Sequence, residues 1–192
     1  MYRPVLVTAP TSTPITLTEA KAHLRVEDPD NDSLITALIA AAVTYLDGWT
    51  GILGRCLFTQ TWRQDYDELC LSLQLPLVPV ASIGSVTYLD AAGASQTVAS
   101  ANYTLLNDEL GPYVRFNDAY SFPAVRSQGP AVSVSYVAGS AAADVPQAIK
   151  QAMLLLIAHW YENRESVVIG AAVSSLPMAV DALLAPHRRV KF

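Results

Sequence analysis

Charge is what this chain has least of: 15% of its 192 residues are Asp, Glu, Lys or Arg, while 52% are hydrophobic. A free monomer of this size normally wears more charge than that. The expectation is therefore a non-catalytic assembly subunit whose apolar surfaces are buried against copies of itself and other proteins, with an ordinary Ala-rich enzyme domain as the alternative. Basic residues are scarcer still, twelve against seventeen acidic ones, for a net charge of −5. That balance excludes a protein whose whole surface grips nucleic acid, because phosphate binding is mostly a cationic term. Two cysteines, Cys56 and Cys70, are too few for a disulfide framework. The opening MYRPVLVTAP lacks a long apolar core and carries Pro4 and Pro10, so no secretory signal is expected. The longest uncharged stretch, Leu69 to Leu89, contains Pro76, Pro79 and Gly84 and alternates, which excludes a membrane helix.

Chemistry-bearing groups are equally sparse. The three histidines, His23, His159 and His187, stand in different predicted elements, and none has metal-ligand spacing to a cysteine or to another histidine. The nine glycines are scattered at turns and form no phosphate loop, and no nucleophile signature is present. Glu27-Asp28-Pro29-Asp30-Asn31-Asp32 resembles the start of a calcium loop, but Ser33 stands where Gly is needed and Ile39 where a bidentate Glu is needed. His159 and Glu162 lie one turn apart, as the polar edge of a helix also requires. Asp65, Asp67 and Glu68 read as a solvated hairpin end. No catalytic residue, cofactor or metal site is expected.

What is present is a clear order of elements. Thr16 and Glu19 have the spacing of a capping box, so a short helix is predicted over LTEAKAHL. A second helix is predicted from Ser33 to Trp49, with Leu34, Leu38, Ala41, Ala42, Tyr45 and Trp49 as its stripe and Ile35, Ile39, Val43 and Leu46 widening it. Gly48 and Gly51 end it. The middle, about Arg55 to Ala138, reads as β. Arg55 to Tyr66 alternates, and Asp67-Glu68 is expected to turn it into a hairpin with Leu69, Leu71, Leu73, Leu75 and Leu77 on one face. That register would hold the two thiols roughly 30 Å apart. Further strands are predicted at Ile83–Leu89, Gln96–Val98, Tyr113–Phe116 and Ala131–Val137, with a turn at Asp90 to Gly93.

The chain becomes helical again at VPQAIKQAMLLLIAHWYENRE, with Asp144 as cap, Pro146 in the first turn, and Ile149, Met153, Leu156 and Trp160 as core stripe. Residues 166–176 read as a loop. A last short helix, Pro177 to Ala185, exposes Val180, Leu183 and Leu184 on one side, and Pro186 stops it before a basic end. The fold class is α+β: a helical bundle made from both ends of the chain, with a small antiparallel β domain inserted. Its parts are residues 1–54 (N-terminal helices), 55–140 (inserted β region), 141–185 (C-terminal helices) and 186–192 (basic arm). The helix faces bearing Leu38, Tyr45, Trp49, Ile149, Met153, Leu156 and Trp160 are candidates for core or for contact between subunits.

ITLTEAKAHLRV, then DPDNDSLITALIAAAVTYLDGWTG, a β-rich middle beginning FTQTW, VPQAIKQAMLLLIAHWYENRE and a closing LPMAVDALLAPHRRV together resemble the head-tail connector family of tailed phages. These are also called adaptor or head-completion proteins, with related copies in prophages and gene transfer agents. The resemblance covers nearly the whole chain, although many members are shorter and nearly all helical. It implies a homo-oligomeric ring, commonly twelve subunits, in the neck of a phage or phage-like particle assembled in the bacterial cytoplasm. The implied partners are the portal protein and a tail-side neck, stopper or terminator protein, with transient contact to translocating DNA and no membrane. It further implies a portal-binding arm at His187, Arg188, Arg189, Val190, Lys191 and Phe192. Another neck or tail-completion subunit, or a small ligand-binding or enzymatic domain, are the alternatives.

Overall fold

The computed structural model describes residues 2–163 and 178–189, and within them the elements run β1 (Val5–Thr8), α1 (Leu17–Leu24), α2 (Asp32–Leu46), β2 (Gln60–Tyr66), β3 (Ser72–Gln74), β4 (Val80–Leu89), β5 (Ser95–Thr97), β6 (Tyr103–Asp108), β7 (Gly111–Phe116), β8 (Val132–Ala138), α3 (Gln147–Glu162) and α4 (Met178–Leu184). The class is α+β. Two units are formed, one from residues up to Pro10 together with Thr59–Ser140, the other from Thr11–Phe58 together with the described chain from Ala141 on.

In the first unit β8 is the organising strand. Val132, Val134, Tyr136 and Ala138 alternate with more exposed residues and are fully buried, as a strand with one face toward a core requires. β2 pairs antiparallel with it along its whole length, from Gln60–Ala138 to Tyr66–Val132, and β4 flanks its other edge. With β1 and β5 outside these, the five-stranded order is β1-β2-β8-β4-β5; a separate three-stranded sheet runs β3-β7-β6. The Tyr66 hydroxyl donates to the Gln74 carbonyl, joining the two sheets. Burial, with help from the neighbouring Asp65 charge, pushes that hydroxyl well above the ordinary tyrosine pKa. The uncharged stretch from Leu69 to Leu89 is thus strand and loop, and no described helix is long and apolar enough to cross a membrane.

The hairpin expected at Asp67-Glu68 does not form, since β2 lies between β1 and β8 while β3 pairs with β7. The tight turn is instead at Asp108-Glu109-Leu110-Gly111, the same tripeptide followed by Gly where the earlier site has Cys70. Gly111 has φ +121°, a conformation that Cys would adopt only with strain. Asp108 Oδ1 accepts from the Leu110 and Gly111 amides at 2.9 and 3.0 Å. Losing the hairpin also removes the basis for the 30 Å separation, though both sulfurs are thiols, Cys56 buried and Cys70 exposed. Of the five alternating leucines, Leu73, Leu75 and Leu77 are buried and Leu71 is exposed. The turn at Asp90 to Gly93 forms as expected, with Asp90 Oδ1 accepting from the Ala92 and Ala94 amides.

Two strands were not anticipated. β6 is one. The other, β1, pairs Val5 with Arg63 and Leu6 with Trp62, which draws the first residues into the sheet unit and away from the helices that were expected to hold residues 1–54. At the other side of the division Leu53, Leu57 and Phe58 are buried among the helices, so the sheet unit starts at Thr59 and not at 55.

The second unit has one core, built from Ile35, Ile39, Ala42 and Leu46 of α2, Ile149, Ala152, Met153, Leu156 and Ile157 of α3, and Val180 and Leu184 of α4, with Ile15, Ala20, Leu53, Leu57, Phe58 and Val145 closing it. α1 opens with the expected capping box: Thr16 Oγ1 accepts from the Glu19 amide at 3.1 Å, and Glu19 Oε2 accepts from the Thr16 amide at 2.7 Å. These bonds hold the Glu19 carboxyl below the usual glutamate range, the backbone bond to Thr16 foremost. Lys21, near the end of α1, donates to the Asp28 carbonyl at 2.8 Å and pairs with Asp32, which fastens the acidic turn before α2.

Three helix details differ from expectation. The buried stripe of α2 is Ile35, Ile39, Ala42 and Leu46, so that Ala42 of the expected stripe and three of the residues expected to widen it face the core, while Ala41 and Tyr45 of the expected stripe are exposed. Both stripes have helical period, and the packing of α3 decides between them. Asp144 does not cap α3: it lies in a 3-10 turn, Ala142–Asp144, and Pro146 itself occupies the cap position. In α4, Val180 and Leu184 are buried in the core instead of exposed, and Leu183 is partly so.

Candidate interaction surfaces

No arrangement for catalysis is assembled among the described residues, where no group of three or more His, Cys, Asp or Glu could hold a metal ion. His159 sits at the end of α3, its ring and its carbonyl both against the Asn163 amide group, and neighbouring Glu162 is exposed. The acidic residues of β2 and its following loop have local partners. Asp65 accepts from Arg63 at 3.0 Å and from the Ser133 hydroxyl at 2.7 Å, and Asp67 accepts from the Tyr2 hydroxyl. Asp90 is held below the usual aspartate range by its bond from Gln96 and by the turn amides. The Cys70 thiol, beside Glu68, is pushed up by burial and by that carboxylate, which disfavours the thiolate. Each shift thus has a structural cause.

The helix faces separate into two groups. Ile149, Met153 and Leu156 are almost wholly buried in the helical core, so they are spent within the subunit. Leu38 and Trp160 are half-buried and Tyr45 is 37% exposed, while Trp49, expected on the helix, is half-buried in the turn after α2 ends at Leu46. Tyr45 and Trp160 meet ring edge to ring face, with centroids 6.1 Å apart. This pair carries apolar surface to the outside of the unit. In the sheet unit, Val5, Leu6 and Val7 of β1 are exposed on both faces of the strand. Sequence reasoning missed them because a strand apolar on both faces has no alternation to detect.

The basic end begins as expected, since α4 stops at Leu184 and a 3-10 turn, Ala185–His187, follows with Pro186 in it. It does not leave the body there. Arg188 Nη2 donates to Asp181 Oδ1 at 2.6 Å, and the Arg189 amide donates to the Leu53 carbonyl at 2.9 Å. Val190, Lys191 and Phe192 lie outside the described residues, as does the stretch 166–176 that was expected to be a loop.

The model of the head completion protein family matches residues 13–190. The chain belongs to that family. The chain is accordingly a structural, non-enzymatic neck or head-completion component. Among solved structures it is similar to a chain in the neck of an empty gene transfer agent particle computed with C6 symmetry, at 26% identity and a TM-score of 0.77, covering 100% of this chain and 97% of that one. A chain in the virion of a native gene transfer agent particle is similar at 26% identity and a TM-score of 0.75, with the same coverage. A third, from the neck of a native particle computed with C12 symmetry, shares the fold at 24% identity and a TM-score of 0.67. No match is found among curated proteins.

Proposed function

We propose that this chain is a connector subunit that forms a ring between the portal and the tail of a phage-like particle and extends the channel through which DNA passes. The observation that carries the reading is the likeness, over the whole of this chain, to a subunit of a particle neck computed with C6 symmetry. Composition supports it. Ring subunits make head-to-tail contacts that close by rotation, and the half-buried Leu38, Trp49 and Trp160 with the exposed Tyr45 offer apolar area for such contacts. A net charge of −5 suits a channel that lets DNA slide past without holding it. Twelve subunits is the number that the resemblance to connectors implies, and the basic terminus is the part proposed to reach the portal.

Light scattering over a concentration series, followed by electron microscopy of the subunit alone and mixed with the portal protein of the same particle, tests the reading. Closed rings at high concentration or on the portal are expected. A subunit that stays monomeric in both settings and never co-sediments with portal overturns it.

A further inference from the structure

Among the described residues, β1 ends one edge of the five-stranded sheet and β6 ends one edge of the three-stranded sheet. An edge strand presents a row of unpaired backbone N–H and C=O groups, which proteins commonly guard with charged side chains. β1 carries none: it reads Val-Leu-Val-Thr, and Val5, Leu6 and Val7 are between 42% and 57% exposed. β6 is uncharged up to its last residue, Asp108, and Leu106 at its middle is 41% exposed. β1 is held firmly from its own side. The fully buried Gln64 donates to the Tyr2 carbonyl at 2.7 Å, and the Tyr2 amide donates to the Asp65 carbonyl at 3.3 Å.

Each strand has a core side and an outer side. On β1, Leu6 lies beside the buried Trp62 and Val5 beside the exposed Arg63. On β6, Leu105 lies beside the buried Val114 and Leu106 beside Tyr113. Next to Leu105 opens a groove of about 450 Å³, lined by residues 78–80 and 105–107 with Pro112, all uncharged. Charge stands only at the ends of the two edges. Arg3 precedes β1, Asp108 and Glu109 stand where β6 turns, and all three are exposed.

We propose that β1 of one subunit adds antiparallel to β6 of the next, with Leu6 against Leu105 and Val5 against Leu106. The proposal rests on the ring reading above, which supplies a second copy as the occupant, and it locates one contact between neighbours. Direction follows from charge, since only an antiparallel approach brings Arg3 to the acidic end of β6. Register follows from burial, because a slip of one residue would set the core side of one strand beside the outer side of the other. In this register Leu6 lies at the mouth of the groove, and Val5 and Leu106 cover each other on the outside. Backbone bonds then supply adhesion while the apolar pairs supply specificity. β1 and β6 belong to different sheets, so the contact is head-to-tail and can close by rotation, as a ring requires.

The test uses two full-length variants, Val5→Cys and Leu106→Cys, each with Cys70→Ser so that the buried Cys56 is the remaining native thiol. They are mixed under conditions in which rings form and treated with a short bis-maleimide, which spans the roughly 5 Å between opposite Cβ atoms of an antiparallel pair. Cross-linked pairs are expected in the mixture and not from either variant alone, and a chain carrying both cysteines should give a ladder of multimers. Arg3→Glu and Glu109→Arg should each weaken assembly by about two- to fivefold, and the two together should regain it. Rings that form without the Val5→Cys to Leu106→Cys link overturn the proposal and leave the connector reading standing. Val5→Cys linking to itself also overturns it, by showing a two-fold pairing of β1 strands. A swapped pair no better than the single variants overturns the antiparallel direction. Failure of the chain to form rings in any setting, portal included, removes the connector reading and the proposal together.

Discussion

The rings of Tyr45 on α2 and Trp160 on α3 stand at 81° to each other with their centroids 6.1 Å apart, an edge-to-face pair that joins the two helices at the rim of their shared core. Such pairs contribute about 0.5–1.5 kcal/mol beyond the area they bury. A thermal or urea double-mutant cycle on Tyr45→Ala and Trp160→Ala is expected to return a coupling of that size. Trp160→Ala alone should cost less than the about 3–5 kcal/mol of a fully buried tryptophan, because Trp160 is half-buried. A coupling near zero would mean that the two rings are independent.

Met153 provides the contrast, being fully buried at the centre of α3. Met153→Ala should destabilise the chain by about 2–5 kcal/mol, read as a shift in the denaturation midpoint. A cost below about 1 kcal/mol would show that the surrounding helices collapse around the gap.

The capping box gives a pH dependence with a definite sign. The carboxyl of Glu19 is depressed by its bonds to Thr16, so its contribution is fully present above the ordinary glutamate value of 4.5 and is lost as pH falls through the depressed folded value. Melting temperature followed from pH 7 to pH 2 should fall less steeply in Glu19→Gln than in the native chain over that acid range. Thr16→Ala should cost about 0.5–2 kcal/mol at neutral pH.

Lys21 is a cation fastening the turn between α1 and α2, and its side chain is only 17% exposed. Lys21→Met keeps most of the apolar stem but leaves the Asp28 carbonyl and the Asp32 carboxylate without their donor. A loss of about 1–2 kcal/mol is expected in chemical denaturation. Asp32→Asn should reproduce much of it.

At the β6–β7 turn, Gly111→Ala should be destabilising by about 1 kcal/mol or more, since φ +121° is closed to a side chain without strain. Cys70→Gly, which completes the same four-residue sequence at the other site, should not create a hairpin there. Cross-strand nuclear Overhauser contacts between the β2 and β3 segments would show otherwise.

Much of the fold was readable where a side chain carries the information. Thr16 with Glu19, and Asp90 with Gly93, are local devices that name their own geometry, and both form. Choices between near-equivalent patterns were not readable. α2 carries two overlapping apolar stripes, and only the position of α3 and α4 tells that Ile35, Ile39, Ala42 and Leu46 face the core. β2 alternates whoever its neighbours are, so its true partner β8, some seventy residues on, could not be told from an adjacent strand. The seating of Arg189 on Leu53 uses a backbone amide and a backbone carbonyl, which every residue but proline possesses, and so it leaves no trace in residue type.

The interleaving of the two units sets a timetable for synthesis on the ribosome. α2 is complete at Leu46, but α3, whose Ile149 and Met153 share its core, begins at Gln147, about 100 residues later. At about 5–20 residues per second the apolar stripe of α2 waits roughly 5–20 s for its cover, and β1, complete at Thr8, waits longer still for β8, which begins at Val132. Nascent chains halted before residue 147 therefore carry an uncovered Ile35, Ile39, Ala42 and Leu46 stripe, which makes them natural chaperone clients and poor candidates for expression as N-terminal fragments.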